Sequence, residues 1–165
     1  MRFIHVSCVA LLLLLSLVPV GALACSCAPP ADPQTALEQA DVVLAGRVVG
    51  LQIVAADADE AGTASPIEDV LVTLSVSALW KWPDEMELPD LESATLSVRT
   101  AFTCCVCGYP FALGDTYLVY AAGDVDSLST SVCTRTALFE DAQADVATFG
   151  PAILTATPPA SMQQE

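Results

Sequence analysis

Residues 69–80 read Asp69-Val70-Leu71-Val72-Thr73-Leu74-Ser75-Val76-Ser77-Ala78-Leu79-Trp80, and this stretch decides the fold class. Val70, Val72, Leu74, Val76, Ala78 and Trp80 share one face of an extended chain, and Thr73, Ser75 and Ser77 share the other. That period of two is the mark of a half-buried strand. Trp80-Lys81-Trp82-Pro83 ends it, because proline cannot donate to a ladder. Toward the N-terminus, Ala55 to Pro66 is acidic and rich in small residues, which predicts a surface loop. Asp41 to Val54, rich in Val, Leu and Ile, predicts another long strand, with a bulge or bend at Gly46. Toward the C-terminus come an acidic loop (Asp84 to Glu92), then a strand (Ala94 to Phe102) with Leu96, Val98 and Phe102 on one face. A cysteine-dense connector (Thr103 to Pro110) leads to strands at Thr116 to Ala122 and Leu128 to Cys133.

Two helices flank these five strands. Asp32-Pro33 pairs an N-cap residue with proline at the first helical position, predicting a helix over Pro33 to Ala40. Phe139, Ala142, Val146 and Phe149 recur at helical spacing, and Gly150-Pro151 stops the pattern, predicting a helix over Ala137 to Phe149. The expected fold is all-β with flanking helices: a five-stranded closed antiparallel barrel of the OB type, over residues 25–150. A β-sandwich, which needs about seven strands, ranks second. Trp80, Trp82 and Phe102 are expected in the core or at the barrel rim. From Ala152 the chain has no core pattern, so residues 151–165 are expected to be a disordered tail.

The first 24 residues carry an address. Arg2 is a short basic start, Val9 to Val18 is an apolar run with five consecutive leucines, and Ala22 and Ala24 are small residues at −3 and −1 from Cys25. Together they predict a secretory signal peptide. The run is shorter than the roughly 20 residues a membrane anchor needs, so no transmembrane segment is expected in the mature chain. A lipid anchor on Cys25 is the rival reading. It fits less well, because a lipoprotein signal usually has leucine three residues upstream, whereas Leu23 stands two upstream.

Cleavage before Cys25 leaves 141 residues and removes both His5 and Arg2. Four basic residues then face twenty acidic ones, a formal charge of −16. Such a surface repels nucleic acid and anionic lipid. Without histidine there is no Ser-His-Asp or Cys-His machinery and no His-ligated catalytic zinc. No glycine-rich phosphate loop appears either. The chain reads as no enzyme, with no cofactor.

Cys8 lies in the leader, and six cysteines remain: Cys25, Cys27, Cys104, Cys105, Cys107 and Cys133. An even count in an exported domain reads as disulfides, with 15 possible pairings. Metal binding by the Cys104, Cys105 and Cys107 cluster is the competing reading, disfavoured by an oxidising compartment. Neighbouring Cys104 and Cys105 could bond to each other only with strain. The spacing points to long bridges from the N-terminus, each closing a loop of about 80 to 110 residues and worth on the order of 4 to 5 kcal/mol in the chain-entropy model.

Several blocks, from Cys25 to about Thr134, carry a resemblance. They are Cys25-Ser26-Cys27-Ala28-Pro29-Pro30 at the expected mature terminus, Pro33-Gln34-Thr35-Ala36, Asp41-Val42-Val43, Trp80-Lys81, Cys107-Gly108-Tyr109 and Thr130-Ser131-Val132-Cys133. In this order they resemble the N-terminal domain of the tissue inhibitors of metalloproteinases, within the netrin-like group. The chain looks like a short, single-domain, bacterial-type member. It lacks a cysteine near Glu38, where a third family disulfide would start, and has one extra residue near Ala31-Asp32. It also lacks the C-terminal disulfide-rich domain of the animal inhibitors.

The resemblance implies a five-stranded OB barrel, with Cys25 paired to Cys107 and Cys27 to Cys133. Cys104 and Cys105 are left unassigned. It further implies a zinc metalloprotease as partner. The α-amine and carbonyl of Cys25 would chelate the protease's zinc, while Ser26, Cys27, Ala28 and Pro29 lie along its cleft, flanked by Cys105 and Val106. The alternative is a disulfide-stapled interaction module with no protease target, since netrin-like domains also serve that role.

Overall fold

The computed structural model describes residues 25–55, 68–102 and 107–156. Residues 1–24 (expected to be a leader), most of the acidic loop after the first strand, and residues 103–106, with Cys104, Cys105 and Val106, lie outside them. Helix α1 spans Pro33–Gln39, strand β1 Val42–Ala55, β2 Glu68–Lys81, β3 Thr95–Ala101, β4 Thr116–Ala121 and β5 Ala137–Leu138. Helix α2 spans Gln143–Phe149 and β6 Leu154–Thr155. Helix α1 begins as its residues dictate: Asp32 accepts from the Thr35 amide (3.1 Å) and from the Thr35 hydroxyl (2.7 Å), and Pro33 opens the first turn.

The six strands form one antiparallel sheet in the order β3-β2-β1-β4-β5, with β6 pairing to the far end of β2. Strands β1 and β2 pair from Val43↔Lys81 to Ala55↔Glu68, with a register shift at Ala45/Gly46 where the bend was expected. A Cβ on Gly46 would sit 3.2 Å from both Leu74 Cβ and the Ser75 carbonyl oxygen, so the small residue allows the two strands their close approach.

Both faces of the sheet centre are covered. One face carries the main core, including Leu44, Val72, Leu74, Val98, Val119 and Leu128. The other packs Val43, Leu118 and Tyr120 against Ala36 and Leu37 of α1 and Val146 and Phe149 of α2. Val42 to Ala45 and Tyr117 to Ala121 are therefore buried at every position, whereas β3 alternates. A strand covered on both faces reads as a continuous apolar run, and one covered on a single face alternates.

Several expectations are corrected. The closed five-stranded OB barrel is not what forms: the sheet is open, and among the described residues no ladder joins its edges. The segment expected to be the closing strand, Leu128 to Cys133, makes only two isolated bridges, from Ser129 to Arg99 and to Ala122. Beyond them hydroxyls take over the backbone. Thr134 Oγ1 donates to the Ser131 carbonyl (2.9 Å), and Ser131 Oγ accepts from the Cys133 amide (3.2 Å). Side-chain bonds of this kind compete with ladder bonds and curl the chain into turns.

The second helix is shorter than its apolar spacing suggested, because Ala137–Leu138 is captured as an edge strand by Tyr117 and Leu118 of β4. Trp80 leaves the Val70–Val76 face. The pairing skips Ser77 between Gly46↔Val76 and Ala45↔Ala78, which puts Leu79 in the main core and turns Trp80 to the opposite face, where its Nε1 donates to the Gly150 carbonyl (3.1 Å). Phe102, expected in the core or at the barrel rim, is 49% exposed just past the end of β3, while Trp82 is buried. From the segment read as a patternless tail, Leu154–Thr155 adds a short strand to β2, and residues 157–165 lie outside those described.

Candidate functional site

Residues 25–31 form an arm with neither helix nor strand. Pro29 and Pro30 have fixed φ and no N–H, so this part of the arm stays extended. Residues Ser26 to Pro30 are exposed, and Cys25 and Ala31 are half-buried. Apolar packing therefore does not hold the arm, and covalent and polar links do. Cys25 is disulfide-bonded to Cys107 with Cα atoms 5.4 Å apart, and Cys27 to Cys133 at 5.2 Å. These are the two pairs that the resemblance implies. A third link is the Arg135 guanidinium, whose Nη1 donates to the Ala31 carbonyl (3.0 Å).

The seats for the two cysteines are tied together. The Val132 amide donates to the Cys107 carbonyl (2.9 Å), joining the two segments that receive the disulfides. Cys107 itself has φ of 62°, a left-handed conformation that only its surroundings can impose on a side-chain-bearing residue. Gly108 follows for a steric reason: a Cβ there would overlap the Ala101 carbonyl. Further along, the Tyr109 amide donates to Thr100 Oγ1 (2.6 Å). The rings of Tyr109, Phe111 and Tyr117 pack with centroids 4.8 to 5.8 Å apart. The Cys107 seat is thus anchored to β3 by a hydrogen bond and to β4 by an aromatic cluster.

Arg135 is held in its turn. Its Nε and Nη2 donate to the two oxygens of Asp145 (2.8 and 2.6 Å), and the Tyr120 hydroxyl donates to Asp145 Oδ2 (2.7 Å). Only 5% of Asp145 is exposed. Burial pushes its carboxyl up, but the hydrogen bonds from Arg135 and Tyr120, with the Arg135 charge, outweigh that and hold it below its ordinary value. The Tyr120 hydroxyl is pushed up, by burial first and by the Asp145 hydrogen bond second. A carboxyl depressed in the folded state adds stability that is fully present above its unfolded pKa of about 4. That stability drains away as pH falls through the lower folded value. Asp145→Asn is expected to cost about 2 kcal/mol near neutral pH, as the loss of charge-assisted hydrogen bonds does. It should also flatten the acid limb of stability below pH 4. Urea unfolding from pH 3 to 7 measures both.

Beside Cys25 lies a groove of about 830 Å³ with no charged side chain among its described lining. Leu51, Ile53, Phe102 and Val132, all substantially exposed, form its walls with Tyr109. On a chain this acidic, an uncharged apolar opening next to the arm stands apart from the rest of the surface.

The sites expected from sequence are therefore partly assembled: Cys25, Ser26, Cys27, Ala28 and Pro29 lie on one arm, joined to Cys107 and Cys133. Cys104, Cys105 and Val106 lie outside the described residues. No group of three or more His, Cys, Asp or Glu among the described residues is placed to hold a metal. Likewise, no described helix is long and apolar enough to cross a membrane. Sequence reasoning missed Arg135, Asp145 and Tyr120. The legible trace was Asp145 itself, an acid three residues after Ala142 on the helix face that carries Ala142, Val146 and Phe149.

An antiparallel sheet domain with the arm of residues 25–31 pinned by two disulfides is a stapled β domain of the kind suited to an oxidising, extracytoplasmic compartment. A family model described as Tissue inhibitor of metalloproteinase matches residues 23–145, and the chain belongs to that family. No curated protein matches the chain in a sequence search.

Proposed function

We propose that the mature chain is a secreted inhibitor of zinc metalloendopeptidases, acting through the α-amine and carbonyl of Cys25 once the leader is cleaved. These two atoms can close a five-membered chelate on a protease's zinc and displace the water that the metal activates. An α-amine of pKa about 7.7 to 8.0 supplies a useful neutral fraction near neutral pH. Ser26, Cys27, Ala28 and Pro29 would run along the protease cleft, with Cys105 and Val106 beside them.

The observation that carries this reading is the arm: exposed from Ser26 to Pro30 yet pinned at both cysteines, in a chain of this family. Pinning lowers the ordering entropy that binding must overcome. The test is the mature secreted protein, its N-terminus verified by intact mass, titrated against a panel of zinc endopeptidases. Inhibition of at least one, competitive with a small zinc-chelating active-site ligand, is expected. Failure against a broad panel overturns the proposal. A second reading, an interaction module with no protease target, is favoured by the uncharged apolar groove beside Cys25.

A further inference from the structure

We propose that Arg135 is a positioning residue for the N-terminal arm, setting the path of Ala28 to Ala31 as the disulfides set that of Cys25 and Cys27. The proposal rests on the inhibitory reading above for its functional consequence. Its structural part stands on the contacts alone.

The two disulfides fix the arm only up to Cys27. Between Cys27 and the Asp32 cap of α1, the residues Ala28, Pro29 and Pro30 are exposed and join no ladder. Among the described residues, the only hydrogen bond reaching residues 26–31 is that from Arg135 Nη1 to the Ala31 carbonyl. The two prolines make a stiff rod, and a rod needs its far end fixed for its direction to be defined. The packed helix α1 holds the chain from Asp32 onward, and Arg135 fixes the carbonyl just before it with a side chain that is itself held. Its fork is engaged face to face by Asp145, which sits on α2 and is itself held by the Tyr120 hydroxyl on β4. The planar guanidinium makes this possible, since two of its nitrogens bind the carboxylate while the third reaches the arm. Arg135 is also two residues from Cys133, so the Cys27 staple and the Ala31 clamp are carried by one short segment. A shift of that segment moves the whole arm as a unit.

The experiment uses the mature, disulfide-intact protein in two variants. The first is the triple replacement Arg135→Met, Asp145→Leu and Tyr120→Phe. It exchanges the partly buried ion pair and the tyrosine hydroxyl that supports it for apolar groups, a change that often preserves stability, and it deletes the bond to Ala31. The second is Arg135→Lys, which keeps a cation for Asp145 but removes the fork. The readouts are backbone 15N order parameters at Ala28 and Ala31, melting temperature, and the inhibition constant against a responsive zinc endopeptidase.

Order at Ala28 and Ala31 is expected to fall in both variants, with inhibition weakened about tenfold and, for the triple variant, a melting temperature near the native one. An arm that stays as ordered as in the native protein overturns the proposal. So does an arm that loosens with no loss of inhibition. If the native protein inhibits nothing, the inhibitory reading falls, and the order parameters still decide whether Arg135 positions the arm.

Discussion

A mature protein carrying one extra alanine before Cys25 is expected to fold normally and to inhibit about a thousandfold less well than the native form. The extension should leave the fold alone because nothing in the arm packs into the core: Ser26 to Pro30 are exposed, and Cys25 is held by its bond to Cys107. Its effect on chelation should be severe. The amine would move one residue away from the Cys25 carbonyl and become an amide nitrogen at its old position, with no lone pair to offer a metal. The added residue would also occupy the space the zinc requires. A thousandfold corresponds to about 4 kcal/mol, a reasonable worth for a metal contact made by two atoms. Inhibition titrations of both forms, with circular dichroism as the folding control, measure it. Equal inhibition by the two would remove the chelation mechanism.

The Cys27→Ser/Cys133→Ser variant is expected to lose about 3 to 4 kcal/mol of stability and most of its inhibition. The bridge spans 106 residues of sequence, which suggests a larger loss, but its neighbour shortens the path. With Cys25 still bonded to Cys107, the unfolded chain already brings the two ends close. The loop that Cys27–Cys133 then closes is roughly 30 residues, from Cys27 back to Cys25, across the bridge, and on from Cys107 to Cys133. The second staple is therefore worth less than either would be alone. Guanidinium unfolding of the oxidised native and variant proteins gives the difference. A loss above about 5 kcal/mol would mean the bridge acts on the native state and not only on the unfolded one.

Much of the sheet was legible because one force wrote it. Where a strand is covered on one face, burial imprints a period of two, and β2 and β3 were found within a residue or so of their expected ends. The first and fourth strands were legible as apolar runs because both their faces are covered. Trp80 and Phe102 escaped this logic. A bulge at Ser77 reverses the phase for Leu79 and Trp80, and a register shift leaves no mark in the order of residue types. Phe102 continues the face of Leu96 and Val98, but past the end of the packed core the same parity points into open space.

The terminal site divides in the same way. The paired cysteines of the arm, the prolines that stiffen it and the Cys107-Gly108 seat stand in the sequence as motifs, because each depends on the chemistry of adjacent residues. Only tertiary structure decided that the sheet stays open. Past the two bridges the side-chain oxygens of Ser131 and Thr134 bond within a local turn, a choice that leaves no mark in the order of residue types. Only tertiary structure, too, could bring Arg135, Asp145 and Tyr120 beneath Ala31. Their side chains meet across a helix, a strand and a loop, and a contact of that kind exists only once the chain has folded around it.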